Sequence, residues 1–150
     1  MENVKIIGNE TSGLSMEGEI KNCIIANNLG GVSFRIDDAR NKVINSTIVN
    51  NRGIGVTVWN NIIVADSKVE LYNNIIMGNR DILGRWMNLH SMHATFTKVH
   101  NNYIEGGKDS SYISGDGIVG FAHPAKFGTY QNNFTQAPVF VKPSFTKHLL

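Results

Sequence analysis

The chain has one cysteine, three prolines and two tryptophans among its 150 residues. A single thiol excludes an internal disulfide, and Cys23, set inside an apolar phrase, reads as a small buried residue and not as a nucleophile. Lys and Arg total 14 against 12 Asp and Glu and nowhere form a run. Nucleic acid therefore has no electrostatic footprint here and is not an expected partner. No stretch approaches the ~20 apolar residues of a membrane span, so no membrane insertion is expected. The opening MENVKIIGNETSG lacks the basic start and apolar stretch of an export signal. No segment sustains a 3.6-residue apolar period, which excludes helical repeats.

What the sequence has is asparagine: 19 of them, with 15 glycines. Both residues tolerate positive φ, so a chain rich in both, with Ile and Val between, wants tight corners joined by short strands. The asparagines recur in one phrase. NCIIANN at residues 22–28 returns as NSTIVNN at 45–51, NNIIMGN at 73–79 and NNYIEGG at 101–107, with a worn copy, NNFTQAP, from Asn132. The steps are 23, 28, 28 and 31 residues, the period of a solenoid in which each turn buries its apolar side against its neighbours.

Two columns of the alignment are apolar: Ile20, Val43, Leu71, Val99, Tyr130, and Ile25, Ile48, Ile76, Ile104, with Thr135 in the last copy. Residues five apart face opposite sides of a straight strand, so both columns reach one core only if the chain turns at Asn22 and its equivalents. The slots Asn27, Asn50, Gly78, Gly106 and Asn28, Asn51, Asn79, Gly107 exchange Asn with Gly, which predicts left-handed corners at both. The regular column Asn22, Asn45, Asn73, Asn101 predicts a stacked amide ladder, since a ligand site would be local and irregular. Further strands are predicted at 31–36, 55–60, 61–65 and 82–87.

NSTIVNNRGIGVTV, LYNNIIMGN and VHNNYIEGG resemble the repeats of right-handed parallel β-helix proteins of the pectate-lyase-like superfamily. The tail APVFVKPSFTKHLL, residues 137–150, is similar to the closing segment of bacterial surface members, with Ala137 where those carry Asp. The resemblance implies an all-β fold: one domain, 1–150, a right-handed parallel β-helix of about five or six coils with an irregular aromatic C-terminal cap. A fragment of a longer protein is the alternative. It also implies an extracellular or cell-surface location.

The fold hosts lyases, glycosidases and non-catalytic modules, so activity has to be read from sites. Asp37 and Asp38 in RIDDAR and Asp116 in SGDGI are the catalytic candidates, in a polysaccharide lyase or glycosidase acting on an acidic polysaccharide. Calcium is expected only if the chain is a lyase, and otherwise no cofactor. Asp37 and Asp38 are adjacent and diverge on a strand, and a solvated turn is the simpler reading. His90 and His93 lack a ligand set, so no metal is expected. The lengthened third repeat, 79–93, gathers Arg80, Arg85, Trp86 and His90. With Trp59 these form the carbohydrate-binding candidate, since solenoid insertions collect on a binding face and exposed indoles stack on sugars. A non-catalytic surface or carbohydrate-binding module is the leading reading. A structural solenoid that forms homo-oligomers through an uncapped N-terminal coil is the other alternative.

Overall fold

The computed structural model describes residues 1–35, 40–59, 68–85, 87–92, 95–107, 111–114 and 127–139. Among these there is no α-helix, only short strands: β1 (Lys5–Ile7), β2 (Ser12–Met16), β3 (Glu19–Lys21), β4 (Ile24–Ala26), β5 (Gly30–Arg35), β6 (Arg40–Ile44), β7 (Thr47–Val49) and β8 (Val56–Trp59). They continue with β9 (Lys68–Tyr72), β10 (Ile75–Met77), β11 (Leu89–Met92), β12 (Thr95–His100), β13 (Tyr103–Ile104), β14 (Ser111–Ser114) and β15 (Phe127–Gln131). Every third strand pairs in parallel. The first sheet is β3-β6-β9-β12-β15, the second β1-β4-β7-β10-β13 and the third β2-β5-β8-β11-β14. This is a parallel β-solenoid with three sheets around one core.

The predicted columns are the core. Ile20, Val43, Leu71, Val99 and Tyr130 are in register through the first sheet, and Ile25, Ile48, Ile76 and Ile104 through the second. All but Tyr130 are completely buried. Val32, Val56 and Leu89, with Phe34 and Val58, close the third side.

Asparagine turns the chain between the first and second sheets. Asn22, Asn45, Asn73, Asn101 and Asn132 have φ of 53, 51, 54, 58 and 52°. Other non-glycine residues would be strained there by roughly 1 kcal/mol or more. The predicted column stacks in part, with Asn73 Nδ2 donating to Asn45 Oδ1 at 3.2 Å, and a second, buried ladder lies one residue further on. Its column is Cys23, Ser46, Asn74, Asn102, Asn133, whereas Asn22, Asn45, Asn73 and Asn101 are exposed. Asn102 Oδ1 accepts the Asn74 N–H and Nδ2, both at 2.9 Å, and Asn74 Nδ2 also donates to Val43 O at 2.8 Å. Asn133 does the same for Asn102. In the earlier turns Ser46 Oγ accepts the Cys23 N–H at 3.1 Å and donates to Ile44 O, while the Cys23 thiol reaches Lys21 O.

The second corner repeats the arrangement. Asn27, Asn50, Gly78 and Gly106 have positive φ as predicted. Asn28, Asn51 and Asn79 do not, which corrects the expectation for that slot; they are buried ladder residues, and only Gly107 there is left-handed. Asn51 Oδ1 accepts from Asn28 N–H and Nδ2 at 3.0 and 3.2 Å, and Asn79 Oδ1 from Asn51 N–H and Nδ2 at 3.1 and 2.8 Å. Asn9 makes the same two bonds to Asn28. NVKIIGN at residues 3–9 is therefore a sixth copy of the phrase, with Asn3 at φ 59° and Gly8 at 75°. Gly107 supplies no amide for the next rung. Asn88 takes its place, accepting from Asn79 Nδ2 at 3.0 Å and donating to Glu105 O at 2.7 Å. Gly55 precedes β8 where Asn88 precedes β11, and it has to be glycine. A Cβ there would lie 2.7 Å from Asn79 Nδ2.

Two expectations place differently. Residues 82–85 and 87 are not strand; Leu83 lies in a turn and the strand begins at Leu89. Residues 61–65 fall outside the described residues.

Replacing Asn51 by Ala removes the acceptor of two buried donors and should destabilise the fold by on the order of 3 kcal/mol. Asn50→Gly, at an exposed left-handed corner, should stay within about 0.5 kcal/mol of wild type. Urea unfolding of the two variants checks the contrast, and equal losses would contradict the ladder assignment.

Candidate functional site

The third-repeat insertion is a closed loop at the corner between the second and third sheets. Asp81 organises it. Its Oδ1 accepts the Leu83 and Arg85 N–H groups, both at 2.9 Å, and its Oδ2 accepts Arg85 Nε at 2.6 Å. Gly84, at φ 76°, completes the reversal, with its N–H bonded to Asp81 O and the Asp81 N–H to Arg85 O. Partial burial raises the Asp81 carboxyl, but the Arg85 and Leu83 donors outweigh it and hold it below the usual carboxylate range. Arg80 and Arg85 are exposed. Trp86 lies outside the described residues, as do Asp37, Asp38, Asp116 and His93. Trp59 ends β8, its side chain outside the described residues.

His90 follows the core residue Leu89 in β11, in register with Thr57 and Ser33. Period-two alternation puts these three on the outer face of the third sheet. His90 is nevertheless only 5% exposed, and burial pushes its imidazole down to about 4. It is a neutral, enclosed ring at pH 7.

Sequence reading missed a different cluster. The residues flanking the core column Val43, Leu71, Val99 lie on the outer face of the first sheet, and three of them converge. Glu70 stands between Lys42 and Lys98 of the adjacent strands, at 3.6 and 3.5 Å. Lys98 pairs with Glu70 in continuous register with Val99 and Leu71, and an extra residue between Phe96 and Lys98 keeps Phe96 opposite Val69. The Tyr72 hydroxyl donates to Glu70 Oε2 at 2.8 Å, and the Tyr72 ring meets the His100 ring edge-on, centroids 4.1 Å apart at 83°. Partial burial raises the Glu70 carboxyl, but the Tyr72 hydroxyl and the Lys98 and Lys42 ammonium groups prevail and hold it below its ordinary range. Burial, then the bond to Glu70 and its charge, push the Tyr72 hydroxyl up to about 12.

No protein-family model, curated protein or solved structure matches the chain. Function therefore has to be argued from the chemistry of these side chains. Glu70 is a fixed anion and Tyr72 a fixed donor, so at neutral pH neither hands over a proton readily. Together they offer one acceptor, two ammonium groups and two ring surfaces along a flat sheet. The ammonium ends stand partly in solvent, so each pair contributes on the order of 1 kcal/mol and stability alone is a weak reason for the cluster. Among the described residues no group of three or more His, Cys, Asp or Glu could hold a metal. The signal for the cluster was in the sequence. Once Val43, Leu71 and Val99 are assigned inward, Lys42, Glu70, Tyr72, Lys98 and His100 must face out.

The His90 ring gives a pH signature. Its folded pKa lies below the unfolded value, so the unfolded chain binds more protons as pH falls. Stability should be full above about pH 6.5, fall between there and about 4, and lose up to about 3 kcal/mol across that window. Urea midpoints from pH 7 to pH 4 test this, with His90→Gln expected to flatten the slope.

Proposed function

We propose that the chain is a right-handed parallel β-helix of the pectate-lyase-like type, about five or six coils long and closed by its aromatic tail, that binds carbohydrate without cleaving it. The observation that carries this reading is the Lys42–Glu70–Lys98 row with Tyr72 and His100 on the outer face of the first sheet. Strand spacing of ~4.8 Å sets donors and an acceptor in a line suited to successive groups of an extended polymer. Two ammonium groups to one carboxylate favour an acidic sugar chain. The fixed protonation of Glu70 and Tyr72 supports binding over hydrolysis or elimination, each of which needs a group poised to exchange a proton. The set Arg80, Arg85, Trp86, His90 and Trp59 remains the second candidate for such a ligand.

A glycan panel with acidic and neutral polysaccharides tests the reading by calorimetry. Tyr72→Ala and Lys98→Gln should each weaken binding of an acidic chain by roughly tenfold while the unfolding midpoint moves little. Unsaturated or reducing ends accumulating from any of these substrates would replace this reading with the lyase or glycosidase. Unchanged affinity in both variants would move the site off this sheet.

A further inference from the structure

Where the first turns pass from the second sheet to the third they enclose a cleft of about 390 Å³, whose lining includes Asn9, Glu10, Asn27, Asn28, Leu29 and Arg52. Sites for small molecules typically span roughly 300–1,000 Å³, so this one suits a small ligand and not a polymer. Its frame is fixed by the ladder. Asn9 N–H and Nδ2 are both bonded to Asn28 Oδ1, at 2.9 and 3.0 Å. The Leu29 N–H is shared between Asn9 O at 3.0 Å and Thr11 O at 3.1 Å, which holds the backbone on either side of Glu10. The Arg52 N–H bonds to Asn28 O at 2.8 Å. Glu10, Leu29 and Arg52 therefore form one column on three successive turns, with Leu29, half exposed, between the two charges.

Those charges do not meet. Among the described residues neither the Glu10 nor the Arg52 side chain has a hydrogen-bond or ion-pair partner, although both line the same cleft. Arg80, the next residue of the column, has an interaction of its own and does not line the cleft. A carboxylate and a guanidinium thus face one space on a rigid support, with an aliphatic side chain between them.

We propose that this cleft binds a small zwitterion, an α-amino acid with an aliphatic side chain. Its carboxylate lies on Arg52, its ammonium on Glu10 and its side chain over Leu29. A purely anionic ligand would face the Glu10 carboxylate and a purely cationic one the Arg52 guanidinium, each at a like-charge cost. A zwitterion meets both. Two strand spacings separate Glu10 from Arg52 by ~10 Å at the backbone, and two charge-assisted bonds of roughly 2.8 Å flanking a compact zwitterion bridge most of that gap. The Asn27 amide, also without a partner among the described residues, adds a neutral donor and acceptor at the edge. The proposal does not rest on carbohydrate binding, whose row lies on the first sheet.

Chemical-shift titrations of the full chain with L-leucine, N-acetyl-L-leucine and L-leucinamide test it. L-leucine is expected to give saturable shifts at Glu10, Leu29 and Arg52. The two blocked analogues, each lacking one charge, should bind roughly fivefold or more weakly. Glu10→Gln should weaken L-leucine by a similar factor and N-acetyl-L-leucine not at all, whereas Arg52→Gln should weaken both. Neither side chain has a partner to lose, so the thermal midpoints of both variants should match wild type. The proposal is overturned by absence of saturable shifts at these residues with L-leucine, by equal binding of the three ligands, or by unchanged affinity in both variants. Tighter binding of an acidic oligosaccharide at the same residues would also overturn it, because the cleft would then belong to the glycan.

Discussion

Corners are the hard part of a solenoid. Strands pair along their length, but at each corner backbone N–H groups turn inward, and leaving one unpaired in the core costs about 1–3 kcal/mol. Buried asparagines solve this by being acceptor and donor at once. Where one asparagine follows another, its oxygen takes two donors from the preceding turn and its side-chain nitrogen returns one bond to that turn's carbonyl. The strand register, the alignment of the core columns and the placement of every outward side chain all follow from rungs that stay in line.

Much of this was legible in the sequence, for a physical reason. The invariant asparagine of the phrase marks a backbone conformation that few other residues tolerate, so it stands out at Asn22, Asn45, Asn73, Asn101 and Asn132. The ladder residue beside it has a looser requirement. Ser46 Oγ meets it, and in the first turns a thiol fits, so the column Cys23, Ser46, Asn74 shows no single letter to the eye. The opening copy was hidden by the same freedom, with Val4 in that slot. Strand 82–87 was misread because Ile82, Leu83, Trp86 and Met87 look like core residues; Asp81 and Gly84 instead make the first two the tip of a turn.

The outer-face cluster was missed through a different limit. Apolar columns announce themselves by repetition, whereas Lys42, Glu70 and Lys98 differ from turn to turn. Each stands three residues before its corner asparagine, Asn45, Asn73 and Asn101, so one column holds all three, but no repeated letter marks that column. The catalytic candidates Asp37 and Asp38 lie in the connection between β5 and β6, and Asp116 beyond β14, all outside the described residues.

The replacement of an absent amide by Asn88 has a consequence for how the solenoid comes apart. Everywhere else a rung joins one turn to the next, but at Asn79 the ladder closes onto a residue nine positions along the same turn. Asn88 passes the link on to the next turn through Glu105 O, a single amide bond at this corner, while the ladder at the other corner runs on through Asn102 to Asn133. The molecule thus has a built-in seam. Fraying from the C-terminal side meets one amide bond at this corner, Asn88 Nδ2 to Glu105 O, and the doubled rungs of Asn79 and Asn51 only beyond it, so the earlier turns open as a more cooperative block than the later ones.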